Sequence, residues 1–389
     1  MTLPLLVTDP EVAVRVIDDI AQSHRVALDI ESNGMYVYDP QVCMVQAAWE
    51  DHAGTMQVAL FDTLALSVTL LAPVTSAASC IKVIHDLAFD ARMLSRHGVA
   101  LASVRDTSVA ASYLGIVATG LASLLSSELG IVVDKSLQKA DWGERPITPD
   151  ALEYLTGDVQ HLLALHDRLW ERVVRTGIED EVQTETQYRL ACASIDHRPA
   201  PPWVRIRGAD GLDDMGRAVL RELAWAREEL AAQRNVPLYK VVSDKQLVEL
   251  AARRPMRLHG IRRVLSGGRG AHDDEVVSMV EQAIIRGTEA GRLGDDDAAW
   301  LHMGRVDSDT AQRRKRIGAR LRAWRKAEAA RRHVHEQVVL PTHCLERIVT
   351  HELRDPDSIA HVPGFGDART RRYALLLGGL VDDVLAGHA

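Results

Sequence analysis

The sequence predicts an α/β domain followed by two all-α domains. Short β-branched, apolar runs alternate with helical patterns in the first 150 residues, whereas the chain is helical from Thr148 onward. The helical part also repeats itself at an offset of about 100 residues, which predicts two similar modules. With 389 residues, of which 47% are apolar, the chain is long enough for several hydrophobic cores.

The α/β prediction starts from three strand-like runs, at residues 25–32, 42–49 and 56–62. Val12, Val16 and Ile20 have helical spacing and predict a helix before the first run. A broad apolar face between residues 152 and 169 predicts a helix that begins near Pro149.

Composition shifts predict the domain borders. A stretch rich in proline and arginine ends the first domain, and a glycine-bearing acidic stretch divides the helical half. The two helical pieces resemble each other, since residues 223–255 align with residues 322–354 and pair Trp225 with Trp324. The predicted order is α/β domain, linker, first helical domain, linker and second helical domain, at residues 1–195, 196–211, 212–292, 293–310 and 311–389.

The charge of the chain is unevenly distributed. The net charge of −8 argues against a nucleic-acid partner, but residues 1–200 carry −13 and residues 201–389 carry +5. An acidic half joined to a basic half indicates a cation-binding part coupled to a polyanion-binding part, while the simpler interpretation is two unrelated soluble surfaces.

The cysteines and the amino terminus bear on location. Cys43, Cys80, Cys192 and Cys344 lie far apart, which indicates neither a zinc knuckle nor a disulfide framework. No stretch of eighteen residues is apolar, and the first residues lack the pattern of a signal peptide. We therefore expect a cytoplasmic protein, in a compartment where thiols stay reduced.

Acidic residues carry the main chemical signal. Asp29 and Glu31 end an apolar strand-like run and project to one face, since side chains two apart on a strand lie on the same side. Asp90 lies in the first turn of a predicted helix, where helix capping is the alternative explanation. Tyr154 and Asp158 are four residues apart and share one helical face.

In this order, the five residues resemble the ribonuclease D family, in the tyrosine branch of the DEDD superfamily of 3′–5′ exonucleases. Pro40, Gln41 and Gln46 resemble the segment that follows the family's first motif, and residues 134–159 resemble the stretch that leads to its third motif. The resemblance implies a ribonuclease H-like α/β exonuclease domain.

The helical half resembles HRDC domains, the helical modules of helicases and ribonuclease D. The first module has Trp225 and Arg227 at the family's Trp-x-Arg positions. The second departs from the pattern, with Trp324 and Arg325 adjacent and His335 where the family has proline, which puts its ligand contacts in doubt. The implied fold class is an α/β exonuclease domain followed by two all-α HRDC domains.

The resemblance also implies the chemistry. Four carboxylates can hold two divalent ions about 4 Å apart for an in-line phosphoryl displacement, and oxygen ligands favour Mg²⁺, with Mn²⁺ as substitute. The family implies that Asp29 bridges both ions, that Glu31 and Asp158 complete the first site, and that Asp90 supports the second. Tyr154 would orient the attacking water, since a phenol is a weak acid at neutral pH.

Further residues are candidates for substrate contacts. Those beside the exonuclease motifs are Gln46, His85, Asp86, Lys139 and Trp142. His85 could equally be a core histidine and Lys139 a solvated charge, and a tryptophan such as Trp142 is more often a packing residue. Those for RNA binding in the second module lie in a basic run and in a Gly-x-Gly turn before a helix, namely Arg313, Arg314, Lys315, Arg316, Arg320, Arg325, Gly364, Gly366 and Arg369.

These expectations predict a monomeric 3′–5′ exoribonuclease that trims structured RNA such as tRNA precursors and releases nucleoside 5′-monophosphates. Two alternatives stay open at this point. The substrate could be DNA, since the sequence carries no signature of a contact to the 2′-hydroxyl. The protein could also be a catalytically silent nucleic-acid-binding scaffold, although all four carboxylates and the tyrosine are present.

Overall fold

The computed structural model describes residues 4–134, 136–194, 200–266, 273–302 and 306–387. The chain forms two compact units. Unit one comprises residues 1–32, 42–195 and 306–389, and unit two comprises residues 33–41 and 196–305. The second helical module thus belongs to the same unit as the α/β part, and residues 33–41 group with the first module. The domain borders drawn from the sequence stay predictions.

A mixed six-stranded sheet organises the α/β part. Its strands are β1 (Leu5–Val7), β2 (Arg25–Ser32), β3 (Val42–Glu50), β4 (Met56–Asp62), β5 (Ile81–Ile84) and β6 (Val104–Asp106), in the spatial order β1-β4-β3-β2-β5-β6. β3 runs antiparallel to β2 and β4, and the other pairs are parallel. The three predicted strands are therefore present and lie side by side in the centre of the sheet.

Helices cover both faces of this sheet. They are α1 (Pro10–Gln22), α2 (Ala72–Thr75), α3 (Ala88–Arg96), α4 (Thr107–Tyr113), α5 (Leu121–Leu124), α6 (Pro149–Val159), α7 (Leu162–Thr176) and α8 (Glu179–Ser194), with a 3₁₀ turn at Val68–Leu71 and a π turn at Leu125–Leu129. Asp9 caps α1 by accepting from the backbone N–H groups of Glu11 and Val12. Thr148 caps α6, and Pro149 occupies its first turn.

The long helix predicted from Pro149 is two helices in the structure. α6 ends at Val159, directly after Asp158, and a turn at Gln160 and His161 precedes α7. Both helices bury apolar side chains against the sheet, so the apolar pattern alone does not reveal the turn.

Unit two contains the first helical module. Its helices are α9 (Asp214–Arg234), α10 (Leu238–Val241), α11 (Asp244–Arg253), α12 (Leu258–Leu265), α13 (Asp274–Ala290) and α14 (Asp295–His302), preceded by 3₁₀ turns at Pro202–Arg205 and Ala209–Gly211. Trp203 and Ile206, in the segment predicted to be a linker, are buried in the core of this unit.

The second helical module has its own core within unit one. Its helices are α15 (Ser308–Arg332), α16 (Glu336–Val339), α17 (Thr342–His351), α18 (Pro356–Ala360) and α19 (Gly366–Leu385). Ile317, Leu345 and Leu377 are among the side chains that fill this core. None of the helices in the described part of the chain has the length and apolar character that a membrane span requires.

Candidate active site

The acidic motif lies on the face of the sheet that α6 covers. Asp29 and Glu31 project from β2 to one side, and the antiparallel register places Gln46 opposite Asp29 and Met44 opposite Glu31. α6 packs on β2, β3 and β4 and brings Asp158 to the same place. One carboxylate oxygen from each of Asp29, Glu31 and Asp158 lies within 4.8 Å of the other two.

Burial and mutual repulsion oppose ionisation of this cluster. Burial, followed by the charge of Asp158, raises the pKa of Asp29 to about 8. Burial and the charges of Asp29 and Asp158 raise the pKa of Glu31 to about 9, and burial raises the pKa of Asp158 to about 7. Buried carboxylates that repel one another when ionised are typical of a cation site, because a bound cation offsets the repulsion.

Asp90 is the fourth acid of the predicted motif. It lies on α3, is 4% exposed, and its Oδ2 atom has no hydrogen-bond partner among the described residues. Burial and then the charges of Asp29 and Glu31 raise its pKa well above the ordinary value. Leu87 occupies the N-cap position of α3 and no side chain caps this helix. Capping therefore does not explain Asp90. A cation bound beside the neighbouring carboxylates would explain it, because such an ion favours an additional negative charge.

Tyr154 stands one helical turn before Asp158. Burial, followed by the charges of Asp158, Glu31 and Asp29, raises the pKa of its phenol. Its ring centroid lies 5.7 Å from that of Trp142, in a tilted arrangement. The tyrosine is thus a neutral hydroxyl beside the carboxylates, able to donate and accept hydrogen bonds.

The residues present fit divalent cations. The converging donors, from Asp29, Glu31 and Asp158, are carboxylate oxygens, which Mg²⁺ and Mn²⁺ prefer. Asp90 is not one of these three, but its Oδ2 atom is buried without a partner among the described residues. Asp29, Glu31 and Asp158 would hold one ion. The negative charges of Asp29 and Glu31, after burial, raise the pKa of Asp90, so Asp90 would support a cation beside them.

Two predicted substrate contacts, His85 and Asp86, follow β5. The Nδ1 atom of His85 lies 2.8 Å from the hydroxyl of Thr107, and burial lowers its pKa. Asp86 is exposed and has a left-handed backbone conformation, with φ of 61°, which aspartate adopts more readily than most residues. Contact of either residue with a nucleotide stays a prediction.

The other three candidates differ in accessibility. Lys139 is exposed, so its proposed contact with a phosphate stays a prediction. Trp142 is 3% exposed and packs with Met44, Leu60 and Leu155, which makes it a packing residue rather than a platform for a base. Gln46 is fully buried, so it cannot touch a substrate in this conformation.

One carboxylate that orders the backbone near the site escaped the sequence analysis. Asp106 is buried at the end of β6 and accepts hydrogen bonds from four backbone N–H groups, those of Asp86, Leu87, Ser108 and Val109. It therefore fixes the segment that leads into the helix of Asp90 as well as the start of α4. An aspartate between a short strand and a helix is a capping signal, which would have identified it.

The predicted RNA-binding residues of α15 are partly exposed. Lys315, Arg316 and Arg320 are exposed, and Arg313 and Arg314 approach Glu352 at 3.5 and 3.8 Å. The guanidinium of Arg325 is largely buried. It donates hydrogen bonds to three neighbouring groups, namely Glu336, the Leu340 carbonyl and the Thr342 hydroxyl. The exposed residues keep the predicted role open, whereas Arg325 acts within its module.

The prediction for Arg369 is wrong. This side chain is 1% exposed and donates to four backbone carbonyls and the Tyr113 hydroxyl, so it is not available to a phosphate.

The Gly-x-Gly turn packs closely on a helix of the exonuclease part. Gly364 and Gly366 have positive φ angles and press against α8, where an added Cβ would come within 2.8 Å of Tyr188 and Thr184 respectively. Both glycines are also partly exposed and line an open pocket beside α8, so a contact of this turn with a phosphate stays a prediction.

Models of known families match most of the chain. A model described as a 3'-5' exonuclease matches residues 4–174, and a model of the HRDC domain matches residues 216–273 and 315–381. The ribonuclease D of Gluconacetobacter diazotrophicus is 30% identical over 285 residues, covering 72% of this chain and 71% of that protein. The ribonuclease D of Granulibacter bethesdensis is 27% identical over 352 residues, covering 89% and 86%.

Solved structures share the fold. Escherichia coli RNase D, described as an exoribonuclease involved in structured RNA processing, matches with a TM-score of 0.70 at 20% identity over 98% of this chain and 99% of that chain. The catalytic core of RRP6 from Trypanosoma brucei matches with a TM-score of 0.63 at 22% identity, covering 74% and 81%. The predicted order of α/β exonuclease fold and helical HRDC domains is confirmed.

Proposed function

Because this chain belongs to the ribonuclease D family and is a 3′–5′ exoribonuclease, we propose that it trims the 3′ ends of structured RNA such as tRNA precursors. The products would be nucleoside 5′-monophosphates. Hydrolysis would depend on two divalent ions, Mg²⁺ or Mn²⁺ in its place, held by Asp29, Glu31, Asp90 and Asp158. A cytoplasmic location and a monomeric state also stay predictions of the sequence.

One observation carries this proposal, the convergence of Asp29, Glu31 and Asp158 within 4.8 Å. When bound, divalent ions lower the pKa of a water and neutralise the charge that develops on the leaving 3′ oxygen. Such ions also restore the ionised form of carboxylates whose pKa is raised by burial and repulsion.

The motif residues have separate roles in this proposal. The pairing of β2 with β3 fixes the backbone of Asp29 and Glu31, so both side chains project to the same face before a substrate arrives. Tyr154 stays neutral and positions the attacking water by a hydrogen bond, because its raised pKa makes it a poor base. Asp90 lies on α3. The two residues before this helix, Asp86 and Leu87, donate backbone hydrogen bonds to Asp106, which fixes the start of the helix.

The exposed basic side chains of α15 are proposed to hold the RNA backbone. Lys315, Arg316 and Arg320 are exposed and no ion pair is recorded for them among the described residues. Their charges are free to neutralise phosphates, a contact that is independent of base sequence.

The experiment is digestion of a 3′-labelled structured RNA and a DNA of matching sequence with Mg²⁺, using the full chain and Asp29→Asn. We expect mononucleotide release from RNA by the wild type and none by the variant. Release from DNA alone would favour the alternative substrate. Equal activity of wild type and variant would contradict the proposed site.

A further inference from the structure

The loop that joins β2 to β3 is held by the first helical module. It comprises residues 33–41, which belong to unit two together with that module. The Oδ1 atom of Asn235, directly after α9, accepts hydrogen bonds from the backbone N–H groups of Tyr38 and Asp39, at 3.2 and 3.4 Å. One side-chain atom of the module therefore fixes two successive backbone groups of the loop.

Two more side chains of the module bind the same loop. Glu228 on α9 accepts a hydrogen bond from the hydroxyl of Tyr38, at 2.8 Å. On α10, the hydroxyl of Tyr239 donates a hydrogen bond to the backbone carbonyl of Met35, at 3.0 Å. The first helical module thus contacts the loop both near its beginning and near its end.

The backbone of Asn235 has a conformation in which glycine is the more usual residue. Its φ of 47° is left-handed, and the residue is the C-cap of α9. Asparagine adopts this conformation more readily than most residues, but glycine adopts it without steric cost. The helix end alone therefore does not require asparagine, whereas the two N–H groups of the loop require an acceptor such as its amide oxygen.

The loop begins two residues after Glu31. The pairing of β2 with β3 is irregular at this point, because its register shifts between Glu31 and Ser32. Such an irregularity disrupts the local hydrogen bonds of a sheet and changes the direction of neighbouring side chains. Glu31 therefore lies at the margin of the regular sheet, where the conformation of the residues that follow affects the direction of its carboxylate.

We propose that Asn235 is a positioning residue for the exonuclease reaction. It fixes the loop that continues from Glu31, and thereby the direction of the Glu31 carboxylate within the acidic cluster. This role rests on the proposed function of that cluster. Asn235 acts through the loop and needs no contact with RNA or metal, so the first helical module contributes to the rate of the reaction and not only to the binding of RNA.

The test is Asn235→Gly in the full chain, which keeps the left-handed helix end and removes the acceptor. We expect faster hydrogen exchange of the loop amides, measured by mass spectrometry. The dissociation constant for Mn²⁺ alone, measured by calorimetry, should rise about tenfold, because groups that orient metal-binding side chains typically contribute 10–100-fold. The kcat on 3′-labelled RNA should fall to a similar extent, while the KM for RNA stays within about twofold of the wild type.

Two further variants serve as controls. Asn235→Asp keeps an acceptor oxygen at this position, so its hydrogen exchange, Mn²⁺ affinity and kcat should stay close to those of the wild type. His333→Gly makes a matched change at the end of α15 in the second helical module, where His333 is also a left-handed C-cap, with φ of 54°. This variant should alter none of the three quantities.

Wild-type hydrogen exchange, Mn²⁺ affinity or kcat in Asn235→Gly would overturn the proposal, and so would a raised KM for RNA with an unchanged kcat. If circular dichroism shows that Asn235→Gly is unfolded, Asn235→Ala is measured against the same criteria. Wild-type protein that binds Mn²⁺ but leaves RNA intact would contradict the proposed function, while the exchange rates and Mn²⁺ affinities would still decide the role of Asn235. Wild-type protein that binds no Mn²⁺ would overturn both.

Discussion

The guanidinium of Arg369 donates a hydrogen bond to the hydroxyl of Tyr113, at 3.4 Å, and so joins α19 of the second helical module to α4 of the exonuclease part. The Tyr113 hydroxyl in turn donates to the buried carboxylate of Glu185 on α8, at 3.0 Å. Glu181, on the same helix, pairs with Arg332 and Arg372. These buried contacts make the second module an integral part of unit one.

Substitution of Arg369 therefore tests stability rather than RNA binding. We expect Arg369→Met to lower the free energy of unfolding by about 3 kcal/mol, because it removes the hydrogen bonds that Arg369 donates to buried carbonyls and to the Tyr113 hydroxyl. The measurement is denaturant unfolding followed by circular dichroism. Arg371→Met, an exposed neighbour on α19, is the control and should change stability little. Equal stability of the two variants would show that Arg369 does not hold the module.

The exposed face of α15 predicts a salt effect. Replacing Lys315, Arg316 and Arg320 by alanine should weaken RNA binding and reduce the slope of log affinity against log salt by about 2, since each lost phosphate contact removes about 0.7 on single strands. Fluorescence anisotropy at several salt concentrations measures this slope. Arg347→Ala, exposed on α17 of the same module, should leave it unchanged. An unaltered slope in the triple variant would remove α15 from the RNA-binding surface.

Tyr154→Phe separates positioning from metal binding. Loss of the hydroxyl should lower kcat by about 10- to 100-fold, because a displaced nucleophile reacts more slowly. Affinity for Mn²⁺ should stay that of the wild type, since the converging ligand atoms are carboxylate oxygens, which the variant keeps. The rate is measured on 3′-labelled RNA and the affinity by calorimetry. A Phe variant with wild-type kcat would exclude Tyr154 from the reaction.

Asp158→Asn tests the repulsion within the acidic cluster. Because the pKa values of Asp29, Glu31 and Asp158 are raised to about 8, 9 and 7, the folded state binds more protons than the unfolded state, whose carboxyl pKa values lie near 4. The cluster's contribution to stability is thus lost as pH rises from about 4 to about 9.

In EDTA at pH 9, we therefore expect a higher Tm for Asp158→Asn than for the wild type, and a smaller difference at pH 6. Adding Mn²⁺ should raise the Tm of the wild type more than that of the variant. Thermal unfolding followed by circular dichroism gives all of these values. Identical Tm values at pH 9 would show that the three carboxylates do not repel one another in the metal-free protein.

The local sequence pattern was sufficient to predict the three central strands and the pairs of motif residues that share a face. Asp29 and Glu31 share a face because side chains alternate along any strand, and Tyr154 and Asp158 share one because a helix repeats every 3.6 residues. Pattern was less reliable for the buried face of α1. Ala13, Ile17 and Ile20 are buried there, whereas the predicted Val12 and Val16 are only partly covered.

The identity of charged and aromatic residues did not reveal their burial. Arg369 and Trp142 resemble nucleic-acid contacts in sequence, yet both lie in the interior, because partners distant in the chain supply their hydrogen bonds or packing. Gln46 shows the same limit, since its buried position opposite Asp29 follows from the register of β2 and β3.

The sequence by itself determined the order of the domains' folds, the five motif residues and the chemistry that carboxylates and a phenol can perform, since these depend on residue type and short-range spacing. Tertiary structure alone decided which charged side chains remain exposed to solvent. The long-range packing of α19 on α4 and α8 buries Arg369, while Lys315 remains exposed on α15. It also decided that carboxylates from β2 and α6, more than a hundred residues apart in the chain, meet within 4.8 Å.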